Sequence, residues 1–141
     1  MMKKYMKIAL KEAMKAEKHG DVPIGAVIVR NSKIIAKGHN KKEKKQMVTR
    51  HAEIEAVEKA CKKLKTWHLE DCEIYTTVEP CVMCYGAIEQ ARIKKIIYGV
   101  ENDKFGYFSK NNDYNNSKIQ SGVLRDDCKK IIQKFFLKKR G

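Results

Sequence analysis

The chain has 141 residues, with 31 Lys+Arg against 17 Asp+Glu, and so a formal net charge of +14 and a pI of about 9.6. That length suits one domain with a sizeable core. No apolar run reaches the roughly 20 residues of a membrane span, and Met1 to Lys7 holds no apolar stretch of signal-peptide length. The basic excess points to a polyanion, nucleic acid first, although an A/T-rich genome would also write Lys and Asn into exposed positions. Five cysteines form no spaced disulfide framework, so a reduced, cytoplasmic protein is expected. Cys61, Cys72 and Cys128 read as small core hydrophobes.

In chain order, apolar residues at Tyr5, Ile8, Ala9, Ala13 and Ala16 predict a helix over residues 5–18, ended by His19-Gly20. Residues 24–29 are apolar on both faces and predict a central strand. Asn31-Ser32 turns the chain into a return strand over 33–38. His39-Asn40 ends that strand, and 41–46 reads as a charged loop leading to Thr49-Arg50-His51. Asn40 offers a donor and an acceptor to a base edge, or is a plain turn residue.

A helix follows over 51–64. Trp67 is expected as a lid on the core and His68 on the surface. Residues 73–78 predict a strand, with Glu79 as a charge at a helix N-terminus and Pro80 at the first helical position. That helix runs to about residue 90, and a strand over 95–100 completes a compact βαβ unit. Residues 101–118 form a long polar loop. In it Phe105, Tyr107, Phe108 and Tyr114 interleave with Lys104, Lys110 and Lys118, a pattern that suits base stacking beside phosphate contacts, or simple anchoring of the loop. Ile119 and Val123 predict a short fifth strand, and 124–139 a last helix with a basic end. The sum is a single domain over 1–141, a three-layer α/β/α sandwich around a central mixed five-stranded sheet.

Two stretches carry the chemistry, His51-Ala52-Glu53 and Pro80-Cys81-Val82-Met83-Cys84. Each sits at or near a helix N-terminus, where the dipole favours thiolate. Cys81 and Cys84 are spaced to point the same way from one turn. Two thiolates and an imidazole suit Zn2+. Three protein ligands leave a fourth position for water, as catalytic zinc sites do. Glu53 is placed to reach that water without ligating the metal. The pattern H-x-E followed by P-C-x-x-C is the known signature of zinc nucleobase deaminases.

Further stretches sharpen this: Asp21-Val22-Pro23-Ile24-Gly25-Ala26-Val27-Ile28-Val29, Gly38-His39-Asn40, Thr77-Val78-Glu79-Pro80-Cys81-Val82-Met83-Cys84, Ala91-Arg92-Ile93, Tyr98-Gly99 and Phe135-Phe136. Over nearly its whole length the chain resembles the tRNA-specific adenosine deaminases of the cytidine-deaminase-like superfamily. The resemblance implies that fold. It also implies hydrolytic deamination of adenosine to inosine at the wobble position of a tRNA anticodon, by a zinc-activated hydroxide and with release of ammonia. It assigns one Zn2+ per chain to His51, Cys81 and Cys84, proton transfer to Glu53, and contact with the target base to Asn40. It implies a homodimer that binds an anticodon stem-loop.

The chain departs from the bacterial pattern at Arg50 and Tyr85. Asn102-Asp103-Lys104-Phe105-Gly106 resembles instead the eukaryotic catalytic subunit, which pairs with a different chain. Two other readings stay open: a free-base or nucleotide deaminase of guanine or cytosine type, and a zinc-stabilised RNA-binding module without catalysis.

Overall fold

The computed structural model describes residues 1–111 and 118–140, so the expectation for Tyr114 lies outside the described residues. Helix α1 spans Met2–Glu17, three residues longer at its start than the apolar repeat suggested, because Met and Lys extend a helix readily. Strands β1 (Gly25–Arg30) and β2 (Lys33–His39) form a hairpin. Its turn residues Asn31 and Ser32 both take left-handed backbone, φ 50° and 62°, which matches the right-handed twist of the paired strands. The charged loop of the sequence reading contains a single helical turn, α2 (Lys42–Lys45). The Asp21 carboxylate caps it, accepting the Glu43 and Lys44 N–H groups at 2.7 and 3.2 Å.

Helix α3 spans Ala52–Leu64, strand β3 Cys72–Val78, helix α4 Val82–Gln90 and strand β4 Lys95–Val100. The long polar segment then forms a short helix, α5 (Tyr107–Asn111), where the sequence suggested only loop. Strand β5 (Ile119–Gln120) stops short of Val123, and α6 (Arg125–Arg140) closes the chain. The sheet order is β2-β1-β3-β4-β5. Strand β1 pairs antiparallel with β2 and β3, while β3–β4 and β4–β5 are parallel. The expected mixed five-stranded sheet is therefore present, and β1 is internal as its two-sided hydrophobicity requires.

Successive side chains divide between two cores. Ala26, Ile28, Ile74 and Ile96 face α3 and α4, whereas Val27, Val29, Tyr75 and Ile97 face α1 and α6. The alanines of α3 (Ala52, Ala56, Ala60) are all buried at i,i+4 spacing and let the helix lie close on the sheet. Gly38 permits this: a Cβ there would stand 2.5 Å from the Ala52 carbonyl oxygen and 2.8 Å from the Ala56 nitrogen. This close approach sets the N-terminus of α3, and with it His51, at the end of the sheet. Trp67 is no lid. It is 54% exposed and stacks on the exposed His68, with ring centroids 3.7 Å apart.

Candidate metal centre and active site

His51 and Cys81 are each the N-cap of a helix, the former of α3 and the latter of α4, both in extended backbone. Pro80 therefore precedes the cap and is not the first helical residue. Helices α3 and α4 pack on the same face of the sheet, with their starts at the same end. The His51 Nδ1 lies 3.7 Å from Cys81 Sγ and 3.4 Å from Cys84 Sγ, and the three ligand atoms fall within 4.8 Å of one another. Atoms about 2.3 Å (sulfur) and roughly 2.1 Å (nitrogen) from one tetrahedral ion stand about 3.6 Å apart. The triad thus has the donor chemistry and the spacing to hold a metal ion. It is the one such cluster of His, Cys and acidic groups among the described residues.

The electrostatics fit the same role. The Cys81 thiol is pulled down to about 4, first by the hydrogen bond that Cys84 donates and then by His51. Cys84 is pushed up by that same bond and by burial, and the His51 imidazolium is favoured by its bond to Cys81. The thiolate is favoured at Cys81, and a cation at the centre of the triad is what would release the Cys84 proton. Glu53, 4% exposed on the first turn of α3, is pushed up to about 7 by burial and lies within hydrogen-bond reach of Cys84. A carboxyl that titrates near neutrality beside a metal site is suited to moving protons.

Each half of the site has its own anchor. On the His51 side, Asn40 Oδ1 accepts the Ala52 N–H at 2.8 Å and so satisfies a donor of the first helical turn. The loop before it is closed by Lys41 N–H to the Arg50 carbonyl at 2.8 Å. Arg50 makes two 2.8 Å bonds to Glu58 across α3, and Lys41 pairs with Glu55 at 3.1 Å.

On the Cys81 side the anchor is Glu79, which the sequence suggested as a charge at a helix N-terminus. It is 2% exposed. Its carboxylate accepts the Asn102 N–H at 3.0 Å, the Ser109 N–H at 2.8 Å and the Ser109 hydroxyl at 2.6 Å. The segment 102–109 is thereby strapped over the cysteine turn, with the Tyr107 N–H on the Pro80 carbonyl at 2.9 Å and Gly106 bridged to Cys81. Gly106 is required, since a Cβ there would stand 2.5 Å from Glu79 Oε1. The one signal in the sequence was an acid wedged between a buried strand and Pro80.

The remaining candidates stay apart from the site. His19 bonds Asp21, His39 bonds Glu12, and Cys72 and Cys128 are buried in the core as expected, while Cys61 is half-buried. Of the interleaved aromatics, Phe108 is core, and Tyr107 stacks on Tyr85 at 3.9 Å. Phe135 is buried while Phe136 is exposed. No described helix is long and apolar enough to cross a membrane.

Comparison with known proteins places this site in a group. The MafB19-like deaminase family profile matches residues 2–140. A tRNA-specific adenosine deaminase of Bacillus subtilis (strain 168) is 42% identical, covering 94% of this chain and 86% of that one. A solved structure from studies of A-to-I editing by tRNA:A34 deaminases superposes with TM-score 0.82 at 35% identity, over 91% of this chain and 98% of that one. A guanine deaminase structure from Bacillus subtilis is 43% identical over 70% of this chain and 63% of that one, with TM-score 0.66. With the His-Cys-Cys triad, the buried glutamate and the mixed sheet in place, the chain belongs to the MafB19-like deaminase family, among its tRNA-specific adenosine deaminases.

Proposed function

We propose that the protein hydrolyses adenosine to inosine at the wobble position of a tRNA anticodon, as a zinc enzyme of one domain acting in the cytoplasm as a homodimer. The observation that carries the reading is Glu53. It is a buried carboxyl that titrates near neutrality, beside a His-Cys-Cys triad of the right spacing. A non-catalytic RNA-binding module has no use for such a group.

His51, Cys81 and Cys84 would hold the zinc. When bound, zinc supplies a Lewis acid that makes water acidic enough to yield hydroxide near neutral pH. Glu53 takes the proton released from water, delivers it to the ring nitrogen next to carbon 6, and assists departure of the amine. The oxygen adds to carbon 6 first. Glu53 then carries the remaining hydroxyl proton to the amine, the carbon–nitrogen bond breaks, ammonia leaves and the carbonyl of inosine forms. Burial of Glu53 keeps bulk water from competing for that proton. The Asn40 Oδ1 is committed to the Ala52 N–H, which leaves its amide NH2 to read the target base. The base must leave the anticodon stack to reach the triad, and a loop base is already partly unstacked. The net charge of +14 serves phosphate contact.

The test is single-turnover conversion of adenosine in an anticodon stem-loop RNA, run beside Glu53→Ala with zinc content measured in both. Conversion by the wild type only, at equal zinc content, supports the reaction and the role of Glu53. The likeness to a guanine deaminase favours one second reading, a free-base enzyme. Wild type that binds zinc, ignores the RNA and deaminates guanine would replace the RNA reading with that one.

A further inference from the structure

Phe105 departs from its neighbours. Phe108 is buried in the core, and Tyr107 lies flat on Tyr85 with only 11° between the rings. Phe105, in the same short segment, is 59% exposed. Leaving a large ring in water forgoes burial that folding rewards.

Its exposure is built, not slack. The Phe105 N–H donates to Asn102 Oδ1 at 3.1 Å, and the Gly106 N–H donates to the Asn102 carbonyl at 2.7 Å. Asn102 is in turn held by the buried Glu79, and Gly106 is bridged to Cys81. The ring thus stands on a closed turn fixed directly to a residue of the metal-ligand triad. Val82, the residue after Cys81, is 68% exposed. Phe105 and Val82 are the next residues along the two segments joined at the antiparallel Gly106–Cys81 bridge, so two exposed apolar residues adjoin that ligand on the same side. Lys104 Nζ lies 5.5 Å from the Phe105 ring centroid and adds positive charge at the same point.

We propose that Phe105 is a stacking platform for a nucleobase adjoining the target base, with Lys104 on the neighbouring phosphate. This rests on the RNA reading above, which it deepens. The platform engages a residue of the polynucleotide that a free base or mononucleotide does not possess, so it discriminates between the substrate classes. An aromatic ring with an adjoining ammonium matches a base and its phosphate. Sequence-tolerant stacking is how such rings hold single-stranded RNA. A second copy of this chain, itself at +14, is the poorer fit to a rim that carries Lys104.

The experiment is steady-state and single-turnover deamination of the anticodon stem-loop by wild type, Phe105→Ala, Phe105→Trp and Lys104→Gln. The RNA is used intact or with an abasic nucleotide on either side of the target. Sedimentation of each protein is recorded alongside. Phe105→Ala is expected to raise the half-saturating RNA concentration roughly tenfold, with the loss concentrated there and not in the maximal rate. Phe105→Trp regains the loss. One of the two abasic RNAs weakens wild type to a similar degree and weakens Phe105→Ala no further. Lys104→Gln flattens the salt dependence by about one phosphate contact.

Phe105→Ala matching wild type overturns the platform, as do abasic and Phe105→Ala losses that simply add. A sedimentation change confined to Phe105→Ala also overturns it, because the ring would then belong to a contact between copies. In each of these cases an active wild type leaves the RNA reading standing. Wild type inactive on the intact RNA removes that reading and the platform with it.

Discussion

The two halves of the metal-ligand triad are held by different physics. His51 is fixed by a neutral amide, Asn40, and by ion pairs: Arg50 with the half-exposed Glu58, and Lys41 and Arg50 with the buried Glu55. Cys81 is fixed by a buried carboxylate, Glu79, that gathers donors from a strap arriving from later in the chain. The Arg50–Glu58 pair opens to water at Glu58 and is screened, and Glu55 shares two cations so that losing one leaves it paired. Stripping the single Glu79 hub, by contrast, leaves several polar groups without partners at once. The cysteine half is therefore the rigid jaw of the site, and the histidine half tolerates change.

The largest effect falls where the halves meet. Glu53→Gln keeps the shape and the triad and removes the proton carrier, so kcat on stem-loop RNA should fall by about 10²- to 10⁴-fold at unchanged zinc content. Zinc lost along with activity would mean that Glu53 helps to hold the two jaws together instead. Next comes Glu79→Ala. It strands the Asn102 and Ser109 N–H groups and should lower stability by about 3 kcal/mol in urea titration. Metal affinity should weaken by about 10- to 100-fold, as for other groups that orient ligands.

Asn40→Ala removes one helix-capping bond and should cost about 1 kcal/mol in the same titration. Arg50→Ala breaks the pair to half-exposed Glu58 and the longer one to Glu55, which keeps Lys41, and should cost about 1 kcal/mol. A denaturation midpoint for Arg50→Ala below that of Glu79→Ala would reverse the assignment of the rigid jaw. The smallest effect lies outside both jaws. Arg125 holds the Glu101 carboxyl at about 2, below its ordinary 4.5. A depressed carboxyl stabilises the fold above its unfolded value and loses that contribution as the pH falls from about 4.5 through 2. Glu101→Gln should lower stability slightly at neutral pH, where that contribution is fully present, and flatten the acid side of a stability-versus-pH curve in that window.

Legibility in the sequence followed distance along the chain. The cysteine pair was readable because one helical turn relates its members, and His51 and Glu53 because a helix start does. Strand β1 announced its central position by being apolar on both faces, and Asn31-Ser32 announced the hairpin. The role of Glu79 was hidden because its partners Asn102 and Ser109 lie far along the chain, with no periodic pattern tying them to it. Trp67 was misplaced because size and apolarity argue for burial, and only the course of the chain between α3 and β3 puts the ring outside. Phe105 and Phe108 sit in one short segment with opposite fates, which no composition rule separates. The turn α2 was missed because a lysine-rich stretch looks like loop until Asp21, on the other side of the hairpin, caps it.

The antiparallel pairing of β1 with β3, Ala26 on Thr76 through Arg30 on Cys72, has a consequence for how the chain assembles. The hairpin β1–β2 with α3 is local in sequence, and so is the crossover β3–α4–β4. The first carries the imidazole and the second carries both thiols. The pairing between them closes the longest loop of the three strand contacts made by β1 and β3, which is the entropically slow event. The ligand set is thus divided between two early-forming pieces and exists as a set only after they dock. A metal ion held by all three ligands works as a latch across that junction.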